Sequence, residues 1–281
     1  MKINICNIGN KEWLDFKADI SFGMFYSLLD LGYDVTMSIN DFSNDRLNIV
    51  IGAESLVNNS ENIRNILDSK IEYVLYEIEN FDGFSINGRE DFNAEGYKLL
   101  IERAIFVITP YLSNVKFYSN LCDADKIRYA RWGFHENMID QRILRSRAFE
   151  FDALYFGMLK GDRAVKIQTL INNQKCKVKL LGRNDPLRFK DYFVSCCRWG
   201  LNLSYGDSEK FINPFRLYYM VANGMPVLAD GGCDDDDYLA ICEVIDFSHF
   251  PEHLNNEDID ARSLIERCRV NSLSDNLKYV L

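Results

Sequence analysis

The feature that most constrains this sequence is an alternation of short apolar segments with longer segments of helical periodicity, which occurs twice along the chain. The apolar segments predict strands at 2–8, 33–38, 47–52, 71–77, 104–108 and 126–132, then at 153–156, 177–181, 199–203, 226–229 and 243–246. Helical spacing predicts helices at 19–32, 60–69, 92–103 and 110–121, then at 162–173, 186–195, 212–223 and 258–269. Strands that alternate with helices form parallel sheets covered on both faces, so we expect an α/β fold of two Rossmann-like domains.

A charged stretch, HENMIDQRILRSRAFEF at 135–151, interrupts the alternation. We interpret it as the linker between a first domain at 1–140 and a second domain at 151–281. The last helix is expected to pack back on the first domain. Ligands of open α/β sheets bind outside the carboxyl ends of the strands. The sequence therefore predicts a ligand site in a central cleft that the two parallel sheets face.

Composition and charge narrow the class of protein. Hydrophobic residues make up 47% of the chain and charged residues 26%, which is typical of a globular protein with a core. No apolar stretch approaches the roughly 20 residues that span a bilayer, and MKINICNIGN lacks the features of a signal peptide, so we expect a cytoplasmic location. The net charge of −10 disfavours a general affinity for nucleic acid, since phosphate binding needs clustered Lys and Arg.

The eight cysteines are scattered and form no C-x-x-C pair. Several lie in apolar segments, so reduced thiols in the core are the favoured interpretation. His249 and His253 have the spacing of helix neighbours but no third ligand nearby in the sequence. We therefore expect neither a metal site nor a resident cofactor.

The segment FDALYFGMLKGDR at 151–163 ends an apolar strand with two glycines and two basic residues. Gly157 has no Cβ, so a ligand can approach the strand end closely. Gly161 begins a helix whose exposed N–H groups favour an anion, and Lys160 and Arg163 add cationic donors. The pattern indicates either a diphosphate site or a solvated turn with two surface bases.

A second junction is LSYGDSEKFINPFRLYYMVANGMPVLADGG at 203–232, in which Arg216 and Tyr219 lie three residues apart on one helix face. INPFRLYYMVANGMPVLAD resembles the donor-binding helix and following strand of GT-B glycosyltransferases. DALYFGMLKGDR and KVKLLGRND extend the resemblance over most of 150–235. In the first half, MKINICNIGN and EYVLYEIENF are similar to phage DNA β-glucosyltransferases. VITPYLSNVKFYSNL and RYARWGFHENM resemble bacterial glycosyltransferases that act on surface polysaccharides.

The resemblance implies a role for each matching residue. The diphosphate of a nucleotide sugar, with UDP-sugar favoured, would be bound by Gly157, Lys160, Gly161, Arg163 and Arg216. The nucleoside would contact Gly182, Arg183 and Tyr219, and the cleft would be lined by Gly9, Asn10, Lys210 and Asn213. Many GT-B enzymes have a ribose-binding glutamate where this chain has Tyr219. Retaining enzymes have two glutamates eight positions apart, and Glu209 does not complete that pattern. We therefore expect an inverting enzyme.

The catalytic base is expected at the end of the strand in YVLYEIENFD. An inverting transfer needs a base that takes the proton of the acceptor hydroxyl. Glu77 falls on the catalytic carboxylate of the phage enzymes, and a partly buried carboxylate there has a raised pKa and is a better base. Glu79 and then Asp82 are the alternatives, and two solvated loop acids are the non-functional interpretation.

Three functions remain open. The first is transfer of a sugar from a nucleotide-diphosphate donor to a hydroxyl acceptor, with a glycan as the expected acceptor. The second is glucosylation of DNA that carries hydroxymethylated bases, which the acidity disfavours because RILRSR at 142–147 is the only dense basic run. The third is a sugar-nucleotide-binding protein without catalytic activity, which the departure at Tyr219 keeps open.

Overall fold

The computed structural model describes the chain except for residues 10, 58–59, 83–84, 87–92, 146, 160, 174–175, 183–186, 205–210, 233–234 and 255–259. For residues 11–16, 60, 62, 81–82, 85–86 and 187–188 it describes the backbone. The chain forms two compact units. The first is Met1–Trp132 together with Leu273–Leu281, and the second is Gly133–Ser272.

The first unit is built on a six-stranded sheet. Its elements begin with β1 (Lys2–Asn7), α1 (Lys11–Asp30), β2 (Asp34–Ile39), β3 (Leu47–Ile51), α2 (Ser60–Asp68), β4 (Tyr73–Tyr76), β5 (Phe81–Asp82), β6 (Ser85–Ile86), α3 (Ala94–Arg103), β7 (Val107–Thr109), α4 (Leu112–Tyr118) and β8 (Ile127–Tyr129). The strand order is β2-β1-β3-β4-β7-β8 with every pairing parallel, and β5 and β6 form a separate antiparallel pair. Ile3, Ile5 and Ile49 are fully buried, as expected for central strands covered on both faces.

The second unit is built on a five-stranded parallel sheet. Its elements are α5 (Gln141–Arg145), β9 (Phe151–Phe156), α6 (Asp162–Asn172), β10 (Val178–Leu181), α7 (Leu187–Cys196), β11 (Cys197–Asn202), α8 (Pro214–Ala222), β12 (Val227–Ala229), α9 (Asp236–Leu239), β13 (Glu243–Val244), α10 (Phe250–His253) and α11 (Ala261–Arg269). The strand order is β10-β9-β11-β12-β13. Tyr155, Trp199 and Leu201 are among the buried residues of its core.

The chain returns to the first unit in a final helix, α12 (Leu273–Lys278), which packs against α1. Leu273 and Leu277 are buried there. The side-chain amide of Asn276 donates a hydrogen bond of 2.9 Å to the carbonyl of Arg131, just after β8. The last nine residues therefore belong to the first unit, and Leu273 and Leu277 are part of its core.

The expected fold class, an α/β chain with two parallel Rossmann-like sheets, is confirmed. The first helix is longer than the expected 19–32, because it begins at Lys11 and ends at Asp30. It contains no Pro, and Gly23 is its one glycine. The stretch 135–151 is not a bare linker, since it contains α5. The N–H of Asp140 donates to the side-chain oxygen of Asn223 at 2.8 Å, which ties this stretch to the second unit.

The strand orders place a topological switch point in each sheet. From β1 the chain passes to β2 on one side and then crosses to β3 on the other, and β9, β10 and β11 repeat this arrangement. Helices on opposite faces leave a crevice at such a point, at the carboxyl ends of the strands. The two positions where a ligand is expected are therefore the ends of β1 and β3, and the ends of β9 and β11.

Candidate functional site

The end of β9 is in close contact with an arginine from α8. Gly157 has φ of 135°, a conformation that residues with a Cβ rarely adopt. A Cβ at this position would lie 2.6 Å from Nη2 of Arg216. The guanidinium carbon of Arg216 lies 5.0 Å from the ring centre of Tyr155 and 5.5 Å from that of Phe156. The structure therefore brings Gly157 and Arg216 together, and two aromatic rings flank the cation.

The N-terminus of α8 is held to the end of β11. The side-chain oxygen of Asn213 caps the helix by accepting the N–H of Arg216 at 3.0 Å. The side chain of Asn202 bonds Asn213 twice, donating to its carbonyl at 2.9 Å and accepting its N–H at 3.1 Å. Pro214 begins the helix, where its fixed φ suits the first turn. Asn213, which we expected to line the cleft, thus has a described role in fixing the helix that carries Arg216.

Arg163 lies on the first turn of α6, which Gly161 precedes as the N-cap with φ of 53°. Its side chain is buried, with 9% exposure, and its Nε donates to the carbonyl of Leu203 at 2.9 Å. Leu203 directly follows β11. Arg163 therefore lies at the carboxyl end of the strand that neighbours β9, at the switch point of the sheet.

Three residues missed in the sequence form an ion-pair cluster beside Arg163. Lys166 Nζ lies 2.7 Å from Asp230 Oδ2 and 3.4 Å from the hydroxyl of Ser204. The other carboxylate oxygen of Asp230 accepts the N–H of Ser204 at 2.7 Å. Asp230 follows β12, and Lys166 lies three residues beyond Arg163 on α6. That helical spacing and the position of an acid after a buried strand are the signals that could have identified the cluster.

Tyr219 was expected to contact the nucleoside. Its hydroxyl donates a hydrogen bond to Asp191 on α7, and the ammonium nitrogen of Lys190 lies 3.8 Å from its ring centre. Phe156 contacts it edge-on, with 5.9 Å between ring centres. Tyr219 therefore links α8 to α7 and to the end of β9. Gly182 follows β10 and is exposed.

Glu77, the expected base, directly follows β4 in the first unit and is buried, with 2% exposure. Its Oε1 accepts the N–H groups of Ile78 and Glu79, both at 2.9 Å. Its Oε2 accepts the hydroxyls of Tyr97 and of Tyr118, the latter at 2.9 Å. Burial, and secondarily the nearby carboxylate of Glu54, raise the pKa of Glu77 to about 7, although these hydrogen bonds oppose the shift.

A buried ion pair occupies the switch point of the first unit. Lys17 Nζ donates to Glu54 Oε1 at 3.2 Å and to the carbonyl of Ile8 at 2.8 Å. A Cβ on Gly52, which follows β3 with φ of 84°, would lie 1.8 Å from the same nitrogen. Lys17 and Glu54 were also missed, because a lysine within an amphipathic segment predicts an exposed position. At the end of β1, the N–H of Gly9 donates to a side-chain oxygen of the loop after β2 at 2.9 Å.

Four of the expected site residues lie outside the described residues: Asn10, Lys160, Arg183 and Lys210. Within the described part of the chain, no group of three or more His, Cys, Asp and Glu side chains is arranged to hold a metal ion. No helix in that part has the length and apolarity needed to cross a membrane.

Comparison with known proteins gives a structural likeness without a sequence match. No protein-family model and no curated protein sequence matches the chain. Among solved structures, AviGT4, a glycosyltransferase involved in avilamycin A biosynthesis, has 13% identity and a TM-score of 0.58, with 100% of this chain and 96% of that chain covered. HepE (Alr3699) of Anabaena, in complex with UDP-glucose, has 13% identity, coverage of 100% and 94%, and a TM-score of 0.48.

An alpha-glucosyltransferase in complex with UDP and a 13-mer DNA has 11% identity, coverage of 99% and 92%, and a TM-score of 0.48. At these identities the likeness concerns the fold, and it rests on the alignment with AviGT4 over the full chain. The resemblance to GT-B glycosyltransferases expected from the sequence is thus confirmed for the fold. The chain has the two-unit α/β fold of the GT-B type.

Proposed function

We propose that the chain is a glycosyltransferase that moves a sugar from a nucleotide-diphosphate donor, with UDP-sugar favoured, to a hydroxyl acceptor. The observation that carries the proposal is that Arg216 contacts Gly157 at the end of β9, while Arg163 bonds the residue that follows the neighbouring strand β11. Two guanidinium groups at a switch point suit a ligand with a compact negative charge. A diphosphate that joins a nucleoside to a sugar is such a ligand.

Departure of the diphosphate is the step that these cations would assist. As the bond from the anomeric carbon to the phosphate oxygen breaks, negative charge develops on the leaving group. Arg216 and Arg163 would stabilise that charge, and the N-terminus of α6 adds a favourable dipole. Each charge-assisted hydrogen bond contributes about 1.5–3 kcal/mol to binding, so the two arginines together would contribute substantially to the affinity for the nucleotide-sugar donor. Lys160, which we expected beside them, would add a third cation.

The acceptor hydroxyl would lose its proton to a carboxylate of the first unit, at the end of β4 where Glu77 and Glu79 lie. Attack by that oxygen on the face opposite the leaving group inverts the anomeric carbon. We propose a glycan as the acceptor, because the net charge of −10 would repel a DNA backbone.

Binding of UDP by calorimetry, followed by hydrolysis and transfer assays with a panel of UDP-sugars, tests the proposal. Arg216→Ala is expected to weaken UDP binding by about 10- to 150-fold, the equivalent of one charge-assisted hydrogen bond. Arg262→Ala removes an exposed arginine from α11 and serves as the matched control. A wild-type protein that binds no nucleoside diphosphate, or an Arg216→Ala variant that binds UDP as the wild type does, would contradict the proposal.

A further inference from the structure

We infer that Glu79 is the carboxylate that accepts the proton of the acceptor hydroxyl, and that Glu77 is a positioning residue which holds the backbone of Glu79. This inference rests on the proposed function. In the reaction, the hydroxyl oxygen forms a bond to the anomeric carbon of the donor sugar. The bond from that carbon to the diphosphate oxygen breaks, and its electron pair leaves with the diphosphate. The hydroxyl proton passes to the carboxylate of Glu79.

Glu77 is placed to fix the main chain rather than to meet a substrate. A carboxylate has about four acceptor positions. Those of Glu77 receive two backbone N–H groups at 2.9 Å and the hydroxyls of Tyr97 and Tyr118. Tyr97 and Tyr118 are buried as completely as Glu77 itself. An acceptor hydroxyl would have to displace one of these four donors and enter a closed part of the core.

The raised pKa of Glu77 follows from the same enclosure. Burial is its largest cause, followed by Glu54, which is itself paired with the ammonium group of Lys17. A group with a pKa near 7 matches the demands of general-base catalysis, but it must also reach the proton that it takes. The enclosure that shifts the pKa of Glu77 also removes its oxygens from a substrate. A perturbed pKa is therefore here a property of a structural network.

The backbone of Glu79 is held from both sides. Its N–H donates to Oε1 of Glu77, and its carbonyl accepts the side-chain amide of Asn114 at 2.8 Å. The residue before it, Ile78, is also bonded to the residue that precedes α4. The hydroxyl of Tyr111 donates to the carbonyl of Ile78 at 3.4 Å. A base acts efficiently only when it is held close to its productive geometry, and this backbone supplies a fixed origin for the side chain.

Glu79 differs from Glu77 in exposure. It is half-buried, whereas Glu77 is buried, and it lies two residues farther from the sheet at the same strand end. The carboxyl ends of parallel strands are where substrates of this fold class are bound. Among the side chains described in the segment after β4, Glu79 is the carboxylate that combines a fixed backbone with access to the surface.

The test is a kinetic comparison of Glu79→Gln and Glu77→Gln in the full chain, with a UDP-sugar that the wild type turns over. Glu79→Gln is expected to lower kcat by about 100-fold or more, the usual contribution of a general base. Its affinity for UDP should stay within about threefold of wild type, because the proposed diphosphate-binding residues Arg163 and Arg216 belong to the second unit and Glu79 to the first. Glu102→Gln, an exposed change on α3, is the matched control.

Glu77→Gln keeps an oxygen that accepts the two N–H groups, and its amide group can donate to the tyrosine oxygens once their hydroxyls turn, so it is expected to lower kcat by less than about tenfold. The acidic limb of the pH profile of kcat should stay in place in this variant. Glu77→Ala removes the hydrogen bonds and should lower kcat far more, with rescue by Gln distinguishing positioning from proton transfer. Melting temperature and UDP binding show whether each variant is folded.

A loss of 100-fold or more in Glu77→Gln, or its acidic limb moving, overturns the inference, as does near wild-type turnover in Glu79→Gln. These outcomes leave the glycosyltransferase proposal intact, because the wild type is active in each of them. A wild type that neither hydrolyses nor transfers from any UDP-sugar removes the proposed function, and the inference with it.

Discussion

Gly157→Ala is the substitution that most directly tests the donor site. The new Cβ would lie 2.6 Å from Nη2 of Arg216, well inside contact distance. The guanidinium group is the far end of a flexible side chain, so it can move away at little cost to the fold. In moving, it leaves its position over Tyr155 and Phe156, where the centroid distances are 5.0 and 5.5 Å.

Gly157→Ala is expected to have two separate effects: it lowers the folding stability and it weakens the binding of UDP. Holding alanine at φ of 135° costs about 1–3 kcal/mol of folding free energy, since this conformation is open almost exclusively to glycine. Displacing the guanidinium group would remove its proposed charge-assisted contact with the diphosphate, which contributes about 1.5–3 kcal/mol. UDP affinity should therefore fall by about 10- to 150-fold.

Gly32→Ala separates the two costs. Gly32 also has a positive φ, of 79°, and a Cβ there would meet nothing within 4 Å. Chemical denaturation should show a loss of stability in both variants, whereas calorimetry should show a loss of UDP affinity in Gly157→Ala alone. Equal UDP affinity in Gly157→Ala and wild type would refute the placement of the diphosphate against Arg216.

Three further expectations concern stability. Between pH 4.5 and 7 the folded wild type holds a proton on Glu77 that the unfolded chain releases, so its free energy of unfolding should fall by about 3 kcal/mol as the pH rises through this range. Glu77→Gln should lack this pH dependence. Urea unfolding across the range measures the difference. Asp230→Ala should lower the free energy of unfolding by about 3 kcal/mol, because it leaves the ammonium group of Lys166 without its carboxylate partner. In a double-mutant cycle, adding Lys166→Met should restore part of that stability. Strictly additive losses would show that the pair does not interact. Gly200→Ala would place a Cβ 2.2 Å from the sulfur of Met220, so thermal unfolding should show a loss of about 2 kcal/mol, and an unchanged melting temperature would contradict this packing.

Much of the fold could be predicted because each strand is a short apolar segment bounded by polar residues. β3 and β9, for example, were expected at 47–52 and 153–156 and are observed at Leu47–Ile51 and Phe151–Phe156. The strand pairs that form a parallel sheet are distant in the sequence, but alternation with helices restricts them to a few orders. What was missed is the first part of α1, where charged and apolar residues alternate, and the short helices α5, α9, α10 and α12, which have too few turns for apolar periodicity to show.

The candidate site was predictable where a residue type is unusual for its position. A glycine at a strand end and an arginine on an otherwise apolar helix face identified Gly157 and Arg216, which the structure brings into contact. The buried partners of charged residues were not predictable, because Lys17 and Glu54 meet only through tertiary structure. Glu77 was expected at the strand end, but no local pattern indicates that two tyrosines from other helices occupy its carboxylate.

The return of α12 to the first unit has a consequence for synthesis on the ribosome. The second unit is complete once residue 272 has emerged, whereas the first unit, made earlier, still lacks Leu273–Leu281. During translation, the part of α1 that α12 covers in the folded chain is therefore exposed until residues 273–281 have emerged. We expect the later-made unit to become protease-resistant first in stalled nascent chains, and the earlier one to follow only once residues 273–281 have also emerged.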